Sequence, residues 1–392
     1  MNSAAPTMRP VAQTERIHIL DILRGFAVFG ILAVNIGGFA SPAFFPGYVA
    51  PQWEWFDHLA ETLMLFLAEG KFYTIFSFLF GLGFSVQLAR AEARGRDVRT
   101  FYPRRLWVLF GLGLLHTLLF WIGDILRLYA LLGFALLAFR NRSNRTLAIW
   151  AGIFLMLGFL ILGGAGGPHD GGGEIPGMDV VGMARQVYSS DSFLSVAIFQ
   201  AFAGVISFIV IAIAQGGTVM ALFLLGLLAG RMKFFEHLPE NQPMLRKIIL
   251  WGLLVGLGFN ALFVFASNSW LASLGFTVGA PALAAVYISS ISLLSLKELG
   301  ARFLAPIGKV GRMALSNYVL QSVLCSLIFN GYGLGLYEKV GPAGLWGITL
   351  TIYLCQIPLS NWWLGKFQFG PLEWLWRSLT YGQKQPFLLA KP

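Results

Sequence analysis

Two side chains in the segment GLLHTLLFWIGDILRLY could carry out acid and base chemistry. His116 is followed eight residues later by Asp124, inside a stretch that is otherwise apolar. A histidine held by a carboxylate can accept or deliver a proton near neutral pH. Lipid makes an idle imidazole unfavourable, so we predict that His116 and Asp124 take part in catalysis. The alternative is a neutral histidine hydrogen-bonded to a backbone carbonyl.

A second group of candidates lies in PQWEWFDHLAETLMLFLAEGK. Asp57, His58 and Glu61 would share a short amphipathic stretch at the outer surface, and Glu69 and Lys71 stand beside the next apolar segment. Two neighbouring carboxylates would raise the proton affinity of His58, which suits a general base where water is partly excluded. We predict His58 as the rival of His116, and Asp57, Glu69 and Lys71 as substrate-binding residues.

The first apolar segment, ILDILRGFAVFGILAVNIGGFA, contains Asp21, Arg24 and Asn35. Asn35 would lie about 16 Å deeper than Arg24 on the same side of a helix, because eleven residues make almost three turns. Arg105 and His116 repeat this spacing. The pattern predicts a polar seam through a helix bundle, with Asn35 as a further catalytic candidate. The alternatives are an Asp21–Arg24 ion pair that reaches the headgroups and an Asn35 that bonds a neighbouring helix.

Four arginines stand at the cytoplasmic ends of the predicted helices: Arg24, Arg104, Arg105 and Arg312. The chain has no glycine-rich phosphate loop, so recognition of a phosphorylated ligand would rest on basic side chains. We predict that these arginines bind such a ligand.

Three more polar side chains are predicted to contact substrate. Tyr129 follows Asp124, and Asn317 and Gln321 lie one turn apart on one face of the segment GRMALSNYVLQSVL.

The elements that must position these groups are membrane-spanning helices. The chain of 392 residues is 57% hydrophobic and 12% charged, with a mean hydropathy of +0.70, whereas a soluble domain has about 25% charged residues. A spanning helix needs about 20 apolar residues. The sequence therefore predicts an all-α polytopic membrane protein with ten spans: 19–40, 71–90, 106–122, 125–139, 147–163, 193–230, 248–266, 276–296, 314–331 and 344–362.

The basic residues predict the orientation of these helices, because Lys and Arg stay on the cytoplasmic side. With both termini cytoplasmic, 23 of the 28 basic residues fall inside. The segment 193–230 is long enough for two spans, but two crossings would place the basic residues 231–247 outside. We predict one crossing, by a helix that either extends beyond the bilayer or breaks near residues 215–217, where paired glycines weaken a helix.

The chain is predicted to form one transmembrane domain. A five-span half, 19–163, and a second half, 193–392, flank a glycine-rich outer loop, 164–192, that would act as a tether or a lid. This loop contains His169, a weak metal candidate. The segment GPLEWLWRSLTYG predicts an interfacial helix at the C-terminal end. The N-terminus lacks the features of a cleaved signal peptide, so the first helix should be retained.

Several classes of function are excluded by composition. The net charge of +10 is spread over short segments between apolar runs, which argues against nucleic-acid binding. The two cysteines, Cys325 and Cys355, both lie in apolar runs and support neither a disulfide framework nor a metal site. We therefore expect no tightly bound cofactor and no metal.

Four motifs in order give a resemblance to a known family. LDILRGFAVFGILAVNI, GLLHTLLFWIGDILRLYALLGF, GRMALSNYVLQSVL and FGPLEWLWRSLTYG look like the YeiB family of bacterial inner-membrane proteins. The C-terminal region of that family is catalogued as a domain of unknown function. The resemblance covers nearly the whole chain and implies a multi-pass protein of the bacterial inner membrane.

The first span is more distantly similar to the transmembrane acyltransferase superfamily, which includes sugar O-acetylases and the lysosomal heparan N-acetyltransferase. Many O-acetylases have an Arg, ten residues and then a His in this span, whereas here Arg24 is followed after ten residues by Asn35. The heparan branch resembles this chain in using Asn, with its catalytic His in the following outer loop, where His58 stands here. The resemblance implies transfer of an acyl group from cytoplasmic acyl-CoA.

These observations leave three hypotheses. The first is an acyltransferase that uses acyl-CoA as co-substrate and a small-molecule, glycan or lipid acceptor at the outer face. The second is a proton-coupled transporter or exporter, in which His116, Asp124, Glu69 and Lys71 form the pathway. The third is a non-catalytic scaffold whose polar groups bond between helices. In each case the partners include membrane lipids, and the chain could pair as a homodimer.

Overall fold

The computed structural model describes residues 17–93, 95, 97–167 and 179–389. Within these ranges the chain folds into α-helices and forms no β-strand, apart from an isolated bridge between Phe367 and Leu388. The helices are α1 (His18–Ala40), α2 (Trp55–Leu67), α3 (Lys71–Ala93), α4 (Tyr102–Leu119), α5 (Leu126–Ala138), α6 (Asn144–Gly164), α7 (Val180–Tyr188), α8 (Phe193–Arg231), α9 (Gln242–Phe265), α10 (Ser269–Ser295), α11 (Glu298–Arg312), α12 (Ala314–Phe329), α13 (Pro342–Trp363) and α14 (Pro371–Tyr381).

The all-α polytopic membrane fold is confirmed. All ten predicted segments are helical, and within the described ranges seven stretches are long and apolar enough to cross a membrane. The pair α11–α12, bent by 76°, could form an eighth. The segment 125–139 gives the 13-residue α5, which is short for a crossing of a roughly 30 Å hydrocarbon layer. The number of ten spans stays a prediction.

The long segment 193–230 forms one continuous helix. α8 has 39 residues and is therefore about 58 Å long, which corresponds to the extended form of the two predicted. The helix does not break at Gly217. This glycine lets α8 approach α6 closely, since a Cβ there would lie 2.8 Å from the Phe154 carbonyl oxygen and 3.2 Å from the Gly158 nitrogen. Small residues commonly permit such close packing between membrane helices.

The chain segments predicted to face the cytoplasm meet at one end of the bundle, here called the inner end. Arg231, at the end of α8, donates hydrogen bonds to the carbonyl oxygens of Phe139, Arg140 and Arg142, in the connection between α5 and α6. At the opposite, outer end, the Asp57 carboxylate accepts a hydrogen bond from the Ala343 backbone nitrogen at 2.8 Å. The fold thus groups the predicted inner and outer segments separately.

Part of the loop predicted to be flexible is ordered as a helix. Asp179 caps α7 by accepting a hydrogen bond from the Gly182 nitrogen at 2.7 Å, and Arg185 forms two hydrogen bonds to Glu338 at 2.8 and 3.0 Å. A local cap and a distant carboxylate together hold this segment against the outer end. Residues 168–178, which include His169, lie outside the described ranges.

Glycines allow α3 and α8 to pack with their backbones in contact. Gly81 of α3 lies directly against the Phe223 carbonyl of α8, and Gly226 of α8 lies against the Phe78 carbonyl of α3. The Phe80 and Phe223 rings stack beside this contact at 4.5 Å. The two glycines therefore fix the separation of α3 and α8.

We expect Gly226→Leu to lower the stability of the folded protein by about 1 to 3 kcal/mol, because the new side chain would overlap the α3 backbone. Thermal unfolding of the detergent-solubilised protein would measure the change. Gly152→Leu is a matched control, since a Cβ at Gly152 meets no atom within 4 Å. Equal melting temperatures for the two variants would contradict this account of the α3–α8 contact.

Candidate functional site

A cavity of about 330 Å³ opens at the inner end of the bundle and is called the inner cavity below. Its volume lies near the lower limit of ligand pockets, which span about 300 to 1,000 Å³. Its charged lining residues are Asp21, Arg24, Arg90, Arg105, Arg312, Glu373 and Arg377. Five arginines and two carboxylates give these residues a net charge of +3, so the mouth suits an anionic ligand.

Three of the four arginines predicted to bind a phosphorylated ligand line this cavity. Arg24 is held by Asp21, with a 2.9 Å salt bridge one helical turn apart. The Arg105 guanidinium lies 3.6 Å from the centre of the Trp376 ring, and the indole nitrogen of Trp376 donates to the Arg105 carbonyl oxygen at 2.9 Å. Arg312 also lines the cavity. Arg104 does not: it is exposed and its guanidinium lies near Gly382.

Sequence reasoning missed two arginines of the mouth. Arg90 stands near the end of α3, and Arg377 lies on α14, the helix predicted to be interfacial. Both were counted only as basic residues that set the orientation of the chain. The signal available was the pair Trp376 and Arg377 on α14, both of which line the mouth.

Glu373 links α14 to the first turn of α12. Its carboxylate accepts hydrogen bonds from the Leu315 and Ser316 backbone nitrogens at 2.8 and 3.0 Å, and from the Ser316 hydroxyl at 2.5 Å. Burial raises the pKa of Glu373, although the bonds from Ser316 oppose that shift. A carboxylate at a helix N-terminus is favourable. Glu373 therefore anchors α14 to the end of α12 that carries Tyr318.

Towards the middle of the bundle the inner cavity becomes apolar and ends beside two tyrosines. Tyr129, a predicted substrate contact, bonds the Ser77 hydroxyl at 2.7 Å and donates to the Tyr73 carbonyl oxygen at 3.1 Å. Tyr318 is 7% exposed, and its hydroxyl has no hydrogen-bond partner of standard geometry among the described residues. The cavity thus joins a cationic mouth to an apolar throat that ends at a buried hydroxyl.

His116 lies behind the Tyr318 ring, in the centre of a hydrogen-bonded chain. Its Nδ1 is 2.8 Å from Asp124 Oδ2, and its Nε2 is 2.8 Å from Ser322 Oγ. The exposed fractions of the three residues are 3%, 0% and 2%. If ionised Asp124 accepts from Nδ1–H, Nε2 is left to accept the Ser322 hydroxyl. Serine, histidine and aspartate then stand in the order that activates a serine hydroxyl.

Asp124 is held by the turn between α4 and α5. Its Oδ1 accepts the Arg127 backbone nitrogen at 3.1 Å and lies 3.7 Å from the Arg127 guanidinium Nε. A Cβ at Gly113 would lie 2.7 Å from the same oxygen, so glycine is needed for α4 to lie this close. The turn and Gly113 thus hold the Asp124 carboxylate in place beside His116 Nδ1.

The histidine and the inner cavity are separated by one aromatic ring. The centre of the Tyr318 ring lies 4.9 Å from that of His116, and Tyr318 lines the cavity. Ser322 lies one helical turn beyond Tyr318 on α12. Sequence reasoning missed Ser322, because its contact with His116 depends on the packing of two helices that are distant in sequence.

The predicted polar seam of α1 is only partly present. Arg24, Val28 and Ile31 line the inner cavity, and Asn35 continues their face by one further turn. Asn35 is half-buried and has no side-chain hydrogen bond to a described residue. It lines neither this cavity nor the second one described below. Its catalytic role stays a prediction.

Two of the predicted substrate contacts on α12 bond to neighbouring helices instead. Asn317 donates to the Val310 carbonyl oxygen at 3.1 Å and to the Ser360 hydroxyl at 3.0 Å. Gln321 donates to the Gln356 side-chain oxygen at 2.8 Å. These bonds satisfy amides where water is scarce. Neither residue lines the inner cavity.

The remaining predicted residues lie towards the outer end. Asp57 caps α13 through Ala343, and His58 is exposed. Lys71 is fully buried: its Nζ donates to the Asn260 side-chain oxygen at 2.7 Å and to the Leu65 carbonyl oxygen at 3.0 Å. Glu69 lies in the break between α2 and α3. The structure does not bring these residues to His116, and no group of three metal ligands occurs among the residues described.

The fold and the site define a polytopic helical membrane protein with an arginine-lined inner cavity. Comparison with known proteins gives relatives that match nearly end to end. A family described as "Protein of unknown function (DUF418)" matches residues 229–383. The chain is 35% identical to "Uncharacterized protein YxaH" of Bacillus subtilis (strain 168), over 97% of this chain and 98% of the relative. It is 29% identical to "Uncharacterized protein YeiB" of Escherichia coli (strain K12), over 93% and 96%. The chain belongs to the YeiB family.

Proposed function

We propose that the protein is a membrane-embedded acyltransferase that moves an acyl group from cytoplasmic acyl-CoA to an acceptor at the outer face of the bacterial inner membrane. The observation that carries this proposal is the buried Ser322–His116–Asp124 chain beside the inner cavity. Arg24, Arg105 and Arg312 would bind the phosphates of the donor, and the apolar throat would accept its pantetheine arm.

The geometry favours transfer in two steps. In the first, His116 Nε2 removes the Ser322 proton while Ser322 Oγ bonds to the thioester carbonyl carbon; the carbon–sulfur bond breaks, and the departing thiolate takes the proton from His116. In the second, an acceptor hydroxyl or amine attacks the acyl carbon and gives its proton to His116. The bond between the acyl carbon and Ser322 Oγ then breaks, and Ser322 takes the proton from His116. Tyr318 must swing aside to admit the thioester.

Donor binding should depend on the arginines that line the inner cavity. We expect acetyl-CoA to raise the melting temperature of the purified protein. Arg105→Gln should weaken this binding by about 10- to 100-fold, since a hydrogen bond to a charged group contributes about 1.5 to 3 kcal/mol. Isothermal titration of acetyl-CoA into each variant would measure the change.

The neighbouring Arg104 supplies the control. Because its side chain is exposed and outside the cavity, Arg104→Gln should bind acetyl-CoA as the unmodified protein does. The absence of stabilisation at millimolar acetyl-CoA would contradict the proposed donor. Equal losses in both variants would indicate a general electrostatic effect and not a binding site.

Proton-coupled transport is a second candidate. It is favoured by Lys71, a fully buried cation near the break between α2 and α3. Ionisable residues at membrane depth often mark ion pathways. Proton-driven uptake into vesicles that is lost in His116→Ala, without any transferase activity, would support transport over acyl transfer.

A further inference from the structure

A second cavity, of about 150 Å³, lies at the outer end of the bundle and is called the outer cavity below. It is bounded by the outer part of α1, the loop after it, α2 and the start of α13. Three aromatic side chains line it, Tyr48, Trp53 and Trp346. The Trp346 indole nitrogen donates to the Ala60 carbonyl oxygen at 3.1 Å, which fixes one ring in place. None of these residues takes part in the inner site.

The ionisable groups that line the outer cavity are two carboxylates and a phenol. Glu338 is already neutralised, because Arg185 binds it through two hydrogen bonds. Glu61 is half-buried and forms no salt bridge with a described residue. Burial raises the pKa of Tyr48, and the negative charges of Glu338 and Glu61 raise it further, so the phenol stays neutral. The lining therefore offers one uncompensated negative charge and three aromatic rings.

A buried hydroxyl at the outer cavity also lacks a partner. Thr349 of α13 lines the cavity and is 0% exposed, and its Oγ1 has no hydrogen-bond partner among the described residues. A buried polar group without a partner is unfavourable, so such groups are usually satisfied by water or a ligand. Thr349 thus provides an observation independent of the carboxylates.

We propose that the outer cavity binds a small organic cation, an alkylammonium group, with Glu61 as its counter-ion, the aromatic rings as its walls and Thr349 as the partner of an adjacent polar atom. Aromatic faces and a carboxylate are the groups that recognise ammonium ions. The cavity can hold a head group of this size but not a second acyl-CoA. In an acyltransferase this site would position the acceptor, and only that role depends on the proposed function.

Choline and its uncharged isostere 3,3-dimethylbutan-1-ol provide a matched pair of probes. Both would be titrated into the full-length protein in phosphatidylglycerol nanodiscs, with Trp fluorescence and calorimetry as readouts. We expect choline to bind at least about tenfold more tightly than the neutral compound, because only choline gains the contacts to Glu61 and the rings. Equal affinity of the two probes, or no binding of either, would overturn the proposal.

Substitutions of Glu61 and Thr349 test the two proposed binding groups separately. Glu61→Gln should weaken choline binding by about tenfold or more, whereas Glu92→Gln, an exposed carboxylate at the inner end, should leave it unchanged. Thr349→Val should weaken the binding of choline but not that of tetramethylammonium, which lacks a hydroxyl. Choline binding that is unaffected by Glu61→Gln would contradict the site. Neither variant should alter stabilisation by acetyl-CoA, so failure here leaves the donor site of the proposed function untouched.

The ammonium group could belong to a free metabolite or to a lipid head group. Nanodiscs of phosphatidylethanolamine distinguish these sources, since a lipid occupant would compete with choline. A lower apparent affinity for choline than in phosphatidylglycerol supports a lipid head group, and an unchanged affinity supports a soluble ligand.

Discussion

His116→Ala is expected to lower the rate of acyl transfer by about 10²- to 10⁴-fold, the usual contribution of a positioned acid–base group. The imidazole is the one group that contacts both Ser322 Oγ and the Asp124 carboxylate in the chain described above. Its loss removes the acceptor for the Ser322 proton. Transfer of a radiolabelled acetyl group from acetyl-CoA to lipid or small-molecule acceptors, in membranes that contain the variant, would measure the effect.

Substitutions of Ser322 distinguish the two-step mechanism from direct attack by the acceptor. We expect Ser322→Ala to abolish the acyl-enzyme, detected by intact-protein mass spectrometry as the addition of one acetyl group in the unmodified chain. Ser322→Cys should retain a covalent intermediate. Full transfer by Ser322→Ala, together with loss of transfer by His116→Ala, would reject the two-step route and favour direct attack by the acceptor. Asn317→Ala, on the same helix but outside the cavity, controls for general damage to α12.

The helices were predictable because hydropathy registers each apolar run directly. The charge distribution predicted a single crossing for 193–230 by an extended or a broken helix, and α8 has the extended form. Bends between helices are harder to predict from hydropathy and charge. The 76° angle between α11 and α12 is an example, because a hydropathy profile reports composition and not the direction of a helix.

The site was predictable where its members share a helix or lie near one another in sequence. The spacing of Arg105 and His116 placed one at the mouth and the other near the middle of the bundle, and Asp124 was close enough in sequence to be paired with His116. Ser322 could not be predicted, because it lies 206 residues from His116 in the sequence. A serine in an apolar helix gives no signal of its own, since it can bond to its own backbone.

Polar residues in apolar helices proved ambiguous for a related reason. Asn317, Gln321 and Lys71 were all predicted to contact substrate, yet each is occupied by groups on other helices. Lipid offers no hydrogen bonds, so an amide needed for packing and an amide needed for binding look alike in a sequence. What distinguishes them is whether an adjoining cavity exists, and that depends on the tertiary arrangement.

Asn260→Leu is expected to destabilise the protein by about 2 to 3 kcal/mol. Asn260 is 0% exposed and accepts a hydrogen bond from Lys71 at 2.7 Å, while its own amide donates to the Phe66 carbonyl oxygen at 2.5 Å. Leucine preserves the volume but leaves a buried ammonium group with one partner fewer. Thermal unfolding in detergent would report the loss.

A double-mutant cycle distinguishes this effect from a defect in packing. Lys71→Met removes the buried charge. Asn260→Leu should therefore lower the folding stability less in that variant than in the unmodified chain, and the two losses should differ by about 1 kcal/mol or more. Strict additivity of the two substitutions would show that Lys71 and Asn260 do not stabilise each other. Both residues lie away from the inner cavity, so every variant that folds should still bind acetyl-CoA. A role for Lys71 in proton-coupled transport, by contrast, requires that Lys71→Met lose uptake.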